Sequence, residues 1–95
     1  FPGQGWLWAG CGRALYDADP VFRRVIDAVE GHWREHADFS LREACFSAPQ
    51  EALDEVRLAQ PVIFMLQCAL VEWLRTWGVH PDCVVGHCSG EIAAA

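Results

Sequence analysis

From Val62 to Trp77 the chain is apolar nearly all round, with Pro61 just before the run and Gly78 just after it. Proline at the first helical position and glycine past the last are expected boundaries of a helix. A helix without a polar face has to be covered on all sides. A membrane is one possible covering. At 1.5 Å per residue, however, the run spans about 24 Å, short of a hydrocarbon core of about 30 Å. Glu72 and Arg75 would also lie in lipid. The run therefore predicts a central buried helix and no membrane.

The residues after this helix narrow the fold. His80-Pro81-Asp82 is a short turn, and Cys83-Val84-Val85 is an apolar run that reads as a buried strand. The strand stops at Gly86, and a helix-forming tail, Glu91 to Ala95, begins past Gly90. Helix, loop, strand, sharp turn, helix is α/β organisation with a parallel sheet. Between the two glycines lies G-x-C-x-G, the pattern of a nucleophile elbow with cysteine in place of the usual serine. The spacing has a physical reason. Glycines on either side let strand and helix approach closely around a strained tip residue, here Cys88. The tip then sits at a helix N-terminus, and the amide of the next residue, Ser89, is placed to form half of an oxyanion hole. Read alone, the motif leaves two alternatives open: a nucleophile, or a free cysteine packed as a small hydrophobe beside a valine pair.

The start of the chain, Phe1-Pro2-Gly3-Gln4-Gly5, is a tight loop whose glycines let backbone amides face an open site. An ordinary surface turn is the plainer reading of the same residues. Cys11 to Tyr16 suggests a short helix. Asp19 before Pro20 is an N-cap, starting a helix with Val21, Phe22, Val25, Ile26 and Val29 on one face and an end near Gly31. Ser40 with Glu43 matches a capping box for a helix over Leu41 to Phe46, and Gln50 to Val56 adds one or two turns. His32 and His36 share a helical spacing. No acidic or cysteine ligand stands at matching spacing, so a solvated face beside Glu30 and Glu35 is expected and no metal site.

A formal charge of −6 argues against nucleic acid as a partner. Five cysteines, an odd number without a C-x-x-C pair, fit reduced thiols in a cytoplasmic protein better than a disulfide framework. A hydrophobic fraction of 53% is high for 95 residues and suggests a piece of a larger α/β core.

Phe1-Pro2-Gly3-Gln4-Gly5, Ala59-Gln60-Pro61, Trp77-Gly78-Val79-x-Pro81-Asp82 and Gly86-His87-x-x-Gly90-Glu91-Ile92-Ala93-Ala94-Ala95 occur in this order. Together they resemble the N-terminal part of the acyltransferase domain of a polyketide synthase, a relative of the malonyl-CoA:acyl-carrier-protein transacylase of fatty acid synthesis. The resemblance spans residues 1–95, which we expect to be an N-terminal fragment of such a domain. It implies an α/β-hydrolase-like core, incomplete here, with a ferredoxin-like subdomain not included. The implied activity is transfer of a malonyl or methylmalonyl group from acyl-CoA to the phosphopantetheine thiol of an acyl carrier protein, through a covalent acyl-enzyme. The implied partners are the carrier protein and neighbouring synthase domains, with no bound cofactor. By the same resemblance the nucleophile position falls on Cys88, the oxyanion-hole amides on Gln4 and Ser89, and a substrate-binding glutamine on Gln60. The family's base is a histidine well downstream, so these residues are not expected to turn over alone. His87, adjacent to the tip, is poorly placed for that role and reads as a packing and hydrogen-bonding residue, and Glu91 as a structural one.

One departure from the family is chemical. The family has serine at the tip, and this chain has Cys88. A thiol is a capable nucleophile. Sulfur is larger, though, and a fraction of an ångström is enough to misplace an oxyanion relative to donors set for oxygen. The alternatives are a serine- or cysteine-type α/β hydrolase with water as acceptor, and a catalytically impaired acyltransferase.

Overall fold

A computed structural model describes residues 1–95 and contains six helices: α1 Arg13–Ala18, α2 Pro20–Arg34, α3 Leu41–Ser47, α4 Gln50–Leu53, α5 Val56–Thr76 and α6 Gly90–Ala94. Two of the starts are set directly by capping chemistry. Asp19 Oδ1 accepts from the amides of both Val21 and Phe22 at 2.9 Å, with Pro20 opening α2. Ser40 Oγ accepts from Glu43 N at 3.0 Å to open α3. Each bond satisfies an amide that the helix itself leaves without a partner.

The core is built around α5. Val62, Met65, Leu66 and Ala69 meet Phe22 and Ile26 of α2, Leu41 and Cys45 of α3, Leu53 of α4, and Cys11. Fully burying a Phe, Ile, Leu or Met side chain contributes about 1.5–3 kcal/mol, so this cluster is the main source of cohesion. One acidic group lies at its edge. Glu30 is buried, and its Oε2 accepts from Arg42 N at 3.0 Å, at the N-terminal end of α3 where negative charge is favoured.

Four expectations need correction. First, α5 begins at Val56, not Val62, and carries Pro61 in its interior. Proline there removes one helical hydrogen bond, but the preceding turn is held by Leu58 N and Ala59 N bonding Glu55 O, and Ala59 is buried. Twenty-one residues reach about 32 Å, so length does not argue against a membrane span. Burial does, because α5 supplies much of the core. Second, α2 continues through Gly31 to Arg34 because Trp33 packs edge-on against Phe39, with centroids 5.4 Å apart. Third, residues 83–85 are not a buried strand. Cys83 is exposed, and Val84 and Val85 are 48% and 74% exposed. No strand forms in these residues, so the expected parallel sheet is not present among them. A single pair of bonds, Phe1 N to Val85 O at 2.8 Å and His87 N to Phe1 O at 3.0 Å, has the pattern of a parallel ladder. One rung is too little to bury a strand. Fourth, the helix expected from Cys11 is α1, displaced two residues to Arg13.

Candidate active site: the Cys88 turn and the opening loop

At Cys88 the extended segment after α5 turns into α6. Cys88 has φ 56°, and no other non-glycine residue has positive φ. A side chain held in this region costs of order 1–3 kcal/mol and persists where the surroundings fix it. Two glycines do the fixing. A Cβ on Gly86 would overlap Glu91 Cα and lie 2.6 Å from Glu91 N. One on Gly90 would overlap Phe1 O and lie 2.7 Å from Phe1 C. The turn can therefore close only with glycine at both positions. Gly90 N to His87 O and Glu91 N to Cys88 O, at 2.9 and 3.1 Å, complete it.

The opening loop lies against this turn. Gly3 is buried, and a Cβ there would sit 3.0 Å from both Cys88 Cβ and His87 O. Cys88 itself is exposed. The structure thus brings Gly3, its neighbour Gln4, Cys88 and Ser89 to one place. The Gln4 side chain is committed elsewhere, donating from Nε2 to Asp54 O at 3.0 Å. The backbone amides of Gln4 and Ser89 donate to no protein acceptor. These are two free N–H donors on the two segments that meet at the thiol.

Gln60 is placed differently. It lines a hollow of about 450 Å³ together with Ser89, Ile92, Phe64, His32 and His36. Cys88 is not part of that lining, so Gln60 joins the turn through Ser89. Ser89 and Trp33 both line this hollow, and their Oγ and Nε1 atoms are buried without a hydrogen-bond partner. His32, His36 and Glu35 are exposed as expected, but Glu30 is buried against Arg42 N, so the face is solvated only in part. The His87 reading needs correction. Its imidazole is exposed and makes no hydrogen bond, and it is the backbone N–H and C=O of this residue that tie the turn together. No histidine of the chain is hydrogen-bonded to Cys88.

Sequence reasoning missed Gln67 and Asp54. Gln67 Nε2 donates to Pro2 O at 2.6 Å, and Asp54 O receives Gln4, so both hold the opening loop. A signal existed for the first: Gln67 is a lone amide between Leu66 and Cys68 in an apolar run.

The thiols differ in environment. Burial pushes Cys45 up to about 12, with the neighbouring Cys11 thiol adding to it. Burial likewise raises Cys11 and Cys68. Cys45 donates to Cys11 O at 3.4 Å inside the core, where a thiolate would be poorly solvated.

Comparison with known proteins bears on this arrangement. The family model for the acyl transferase domain matches residues 1–95. Mycoketide-CoA synthase of Mycobacterium tuberculosis is 45% identical over 96 residues, covering 100% of this chain and 2% of that protein. Erythronolide synthase EryA2 of Saccharopolyspora erythraea is 43% identical over 96 residues, covering 100% of this chain and 3% of that protein. Among solved structures, the acyltransferase domain from the second module of the salinomycin polyketide synthase superposes with a TM-score of 0.90 at 45% identity, covering 100% of this chain and 22% of the solved one. Malonyl CoA-acyl carrier protein transacylase from Clostridium perfringens superposes with a TM-score of 0.86 at 26% identity, covering 99% of this chain and 28% of the solved one. The chain therefore spans a small part of the proteins it matches. Its relatives are polyketide synthases, and the chain belongs to the acyl transferase domain family.

Proposed function

We propose that Cys88 carries an acyl group in transit from an acyl-CoA to an acyl carrier protein, as one step of polyketide assembly. The observation that supports this best is the contact of the Gly3 loop with an exposed thiol held at φ 56°, flanked by the free amides of Gln4 and Ser89. We read the turn as a nucleophile elbow and the two amides as an oxyanion hole. In the first half-reaction Cys88 Sγ bonds to the thioester carbonyl carbon, charge develops on the carbonyl oxygen facing the two amides, and the bond to the coenzyme A sulfur breaks. Coenzyme A leaves as the thiol, taking the proton that Cys88 releases. In the second, the phosphopantetheine thiol of the carrier protein attacks the Cys88 thioester, and Cys88 regains a proton. A thioester is exchanged for a thioester each time, so neither direction is strongly uphill.

The acyl unit in this proposal is malonyl or methylmalonyl, a class supported by the likeness to a malonyl CoA-acyl carrier protein transacylase. Gln60 and Ser89, on one hollow, are the proposed substrate-facing pair. The base that relays the proton lies outside residues 1–95, and neighbouring synthase domains are the proposed physical context. We read the complete domain as α/β, with the edge at Val84, opposite the Phe1–Val85 rung, continuing into a sheet, and the whole as cytoplasmic.

The test is intact-mass analysis of the full-length protein after incubation with malonyl-CoA. An adduct that disappears in Cys88→Ala supports the proposal. In Cys88→Ser, steady transfer to the carrier protein should be faster by about tenfold or more, because the oxyanion donors are set for oxygen. Release of free acid without carrier protein would identify a hydrolase. No adduct, with a thiol inert to alkylation, would identify a non-catalytic domain.

A further inference from the structure

Gln67 is 5% exposed, in the half of α5 that forms the core. An amide buried there is costly unless its polar atoms are paired. Only one is. Nε2 donates to Pro2 O at 2.6 Å, while Oε1 is buried with no donor. The amide orientation is fixed by the same contact, since exchanging its ends would set two carbonyl oxygens against each other. An apolar residue would fill this position without leaving an orphan acceptor, so stability alone does not account for glutamine here.

The bond reaches the loop at a particular point. Phe1 is tied to Val85 and His87 on one side of Pro2. On the other side, Gly3 abuts Cys88 and the Gln4 side chain is held by Asp54 O. Gln67 grips the residue between these ties, from a packed helix. Resting on the acyl-transfer reading above, we infer that Gln67 is a positioning residue that holds the opening loop in register with Cys88, so that the Gln4 amide meets the oxyanion.

Two reactions at one sulfur separate positioning from plain structural support. Acylation by a thioester develops charge on a carbonyl oxygen and needs the amide donors. Alkylation by iodoacetamide forms a bond from Sγ to a saturated carbon as iodide leaves, and no oxyanion develops. Both rates are measured on the Cys88 peptide by mass spectrometry in the full-length protein, with malonyl-CoA in a single turnover. Gln67→Met keeps the volume and removes the donor. Gln67→Glu keeps the shape and sets an oxygen against the Pro2 carbonyl. Each should slow acylation about tenfold or more while alkylation stays within about twofold.

Equal loss of both rates, loss of neither, or unfolding of both variants by circular dichroism would overturn the inference and leave Gln67 a structural residue. If the unaltered protein is acylated and the ratio does not move, the inference fails alone. If the unaltered protein is never acylated on Cys88, the acyl-transfer reading falls and takes the inference with it.

Discussion

The backbone at Cys88 is strained, and its neighbours show how the strain is kept. Gly90 has no room for a methyl group, because its Cβ position overlaps Phe1 O, a backbone atom that cannot swing aside. Gly90→Ala should therefore push the opening loop off the turn. We expect a loss of about 1–3 kcal/mol of stability, read by thermal melting, together with loss of the acyl adduct on Cys88. The spacing of Gly86 and Gly90 about the tip was legible in the sequence because close approach of two segments leaves a compositional mark. The grip of Gln67 on Pro2 was not. A polar residue in an apolar helix announces a partner, but sequence does not say which of many carbonyls it meets. For Gln60 the family resemblance supplied a role, and the structure places it on the Ser89 hollow, which Cys88 does not line.

Helix boundaries set by local chemistry were readable, and those set by tertiary contacts were not. Asp19-Pro20 and Ser40 act within one turn, so local chemistry decides them. Asp19→Ala removes two hydrogen bonds to α2 and should cost about 1 kcal/mol, within 0.5–2, measurable by denaturant titration. The end of α2 and the start of α5 are decided by tertiary contacts that outweigh a local breaker. Gly31 stays helical because Trp33 beyond it packs on Phe39, and Pro61 is absorbed into α5 at the loss of one hydrogen bond. Nothing lies within 4 Å of a Cβ on Gly31. Gly31→Ala should thus stabilise the protein by about 0.5–1 kcal/mol, the opposite sign to Gly90→Ala, and a raised melting temperature would show it.

Across the whole molecule the core belongs to α5, as its apolar run implied, but the sheet implied by Cys83-Val84-Val85 has only the Phe1 rung. Strands are stabilised by partners remote in sequence, so an apolar run of this length does not make one alone. The apolar surface this leaves is substantial. Leu74, Val79, Val84 and Val85 line a hollow of about 530 Å³. The core also carries a pH dependence. Cys45 is held protonated up to about 12 in the fold, against 9.0 as its ordinary value. Its contribution is complete below pH 9. Above that the unfolded chain releases the proton and the folded one does not, so stability should fall by about 1.4 kcal/mol per pH unit between pH 9 and about 12. Cys45→Val should flatten that slope in denaturant titrations across this range. The proposed function rests on a different thiol, and one measurement addresses it most directly: peptide mapping of the full-length protein after malonyl-CoA treatment, with and without neutral hydroxylamine, which cleaves thioesters and spares ordinary oxygen esters. The acyl group should appear on the peptide containing Cys88 and vanish with hydroxylamine; an adduct that survives, or one carried by Cys83 or Ser89 instead, would contradict the account.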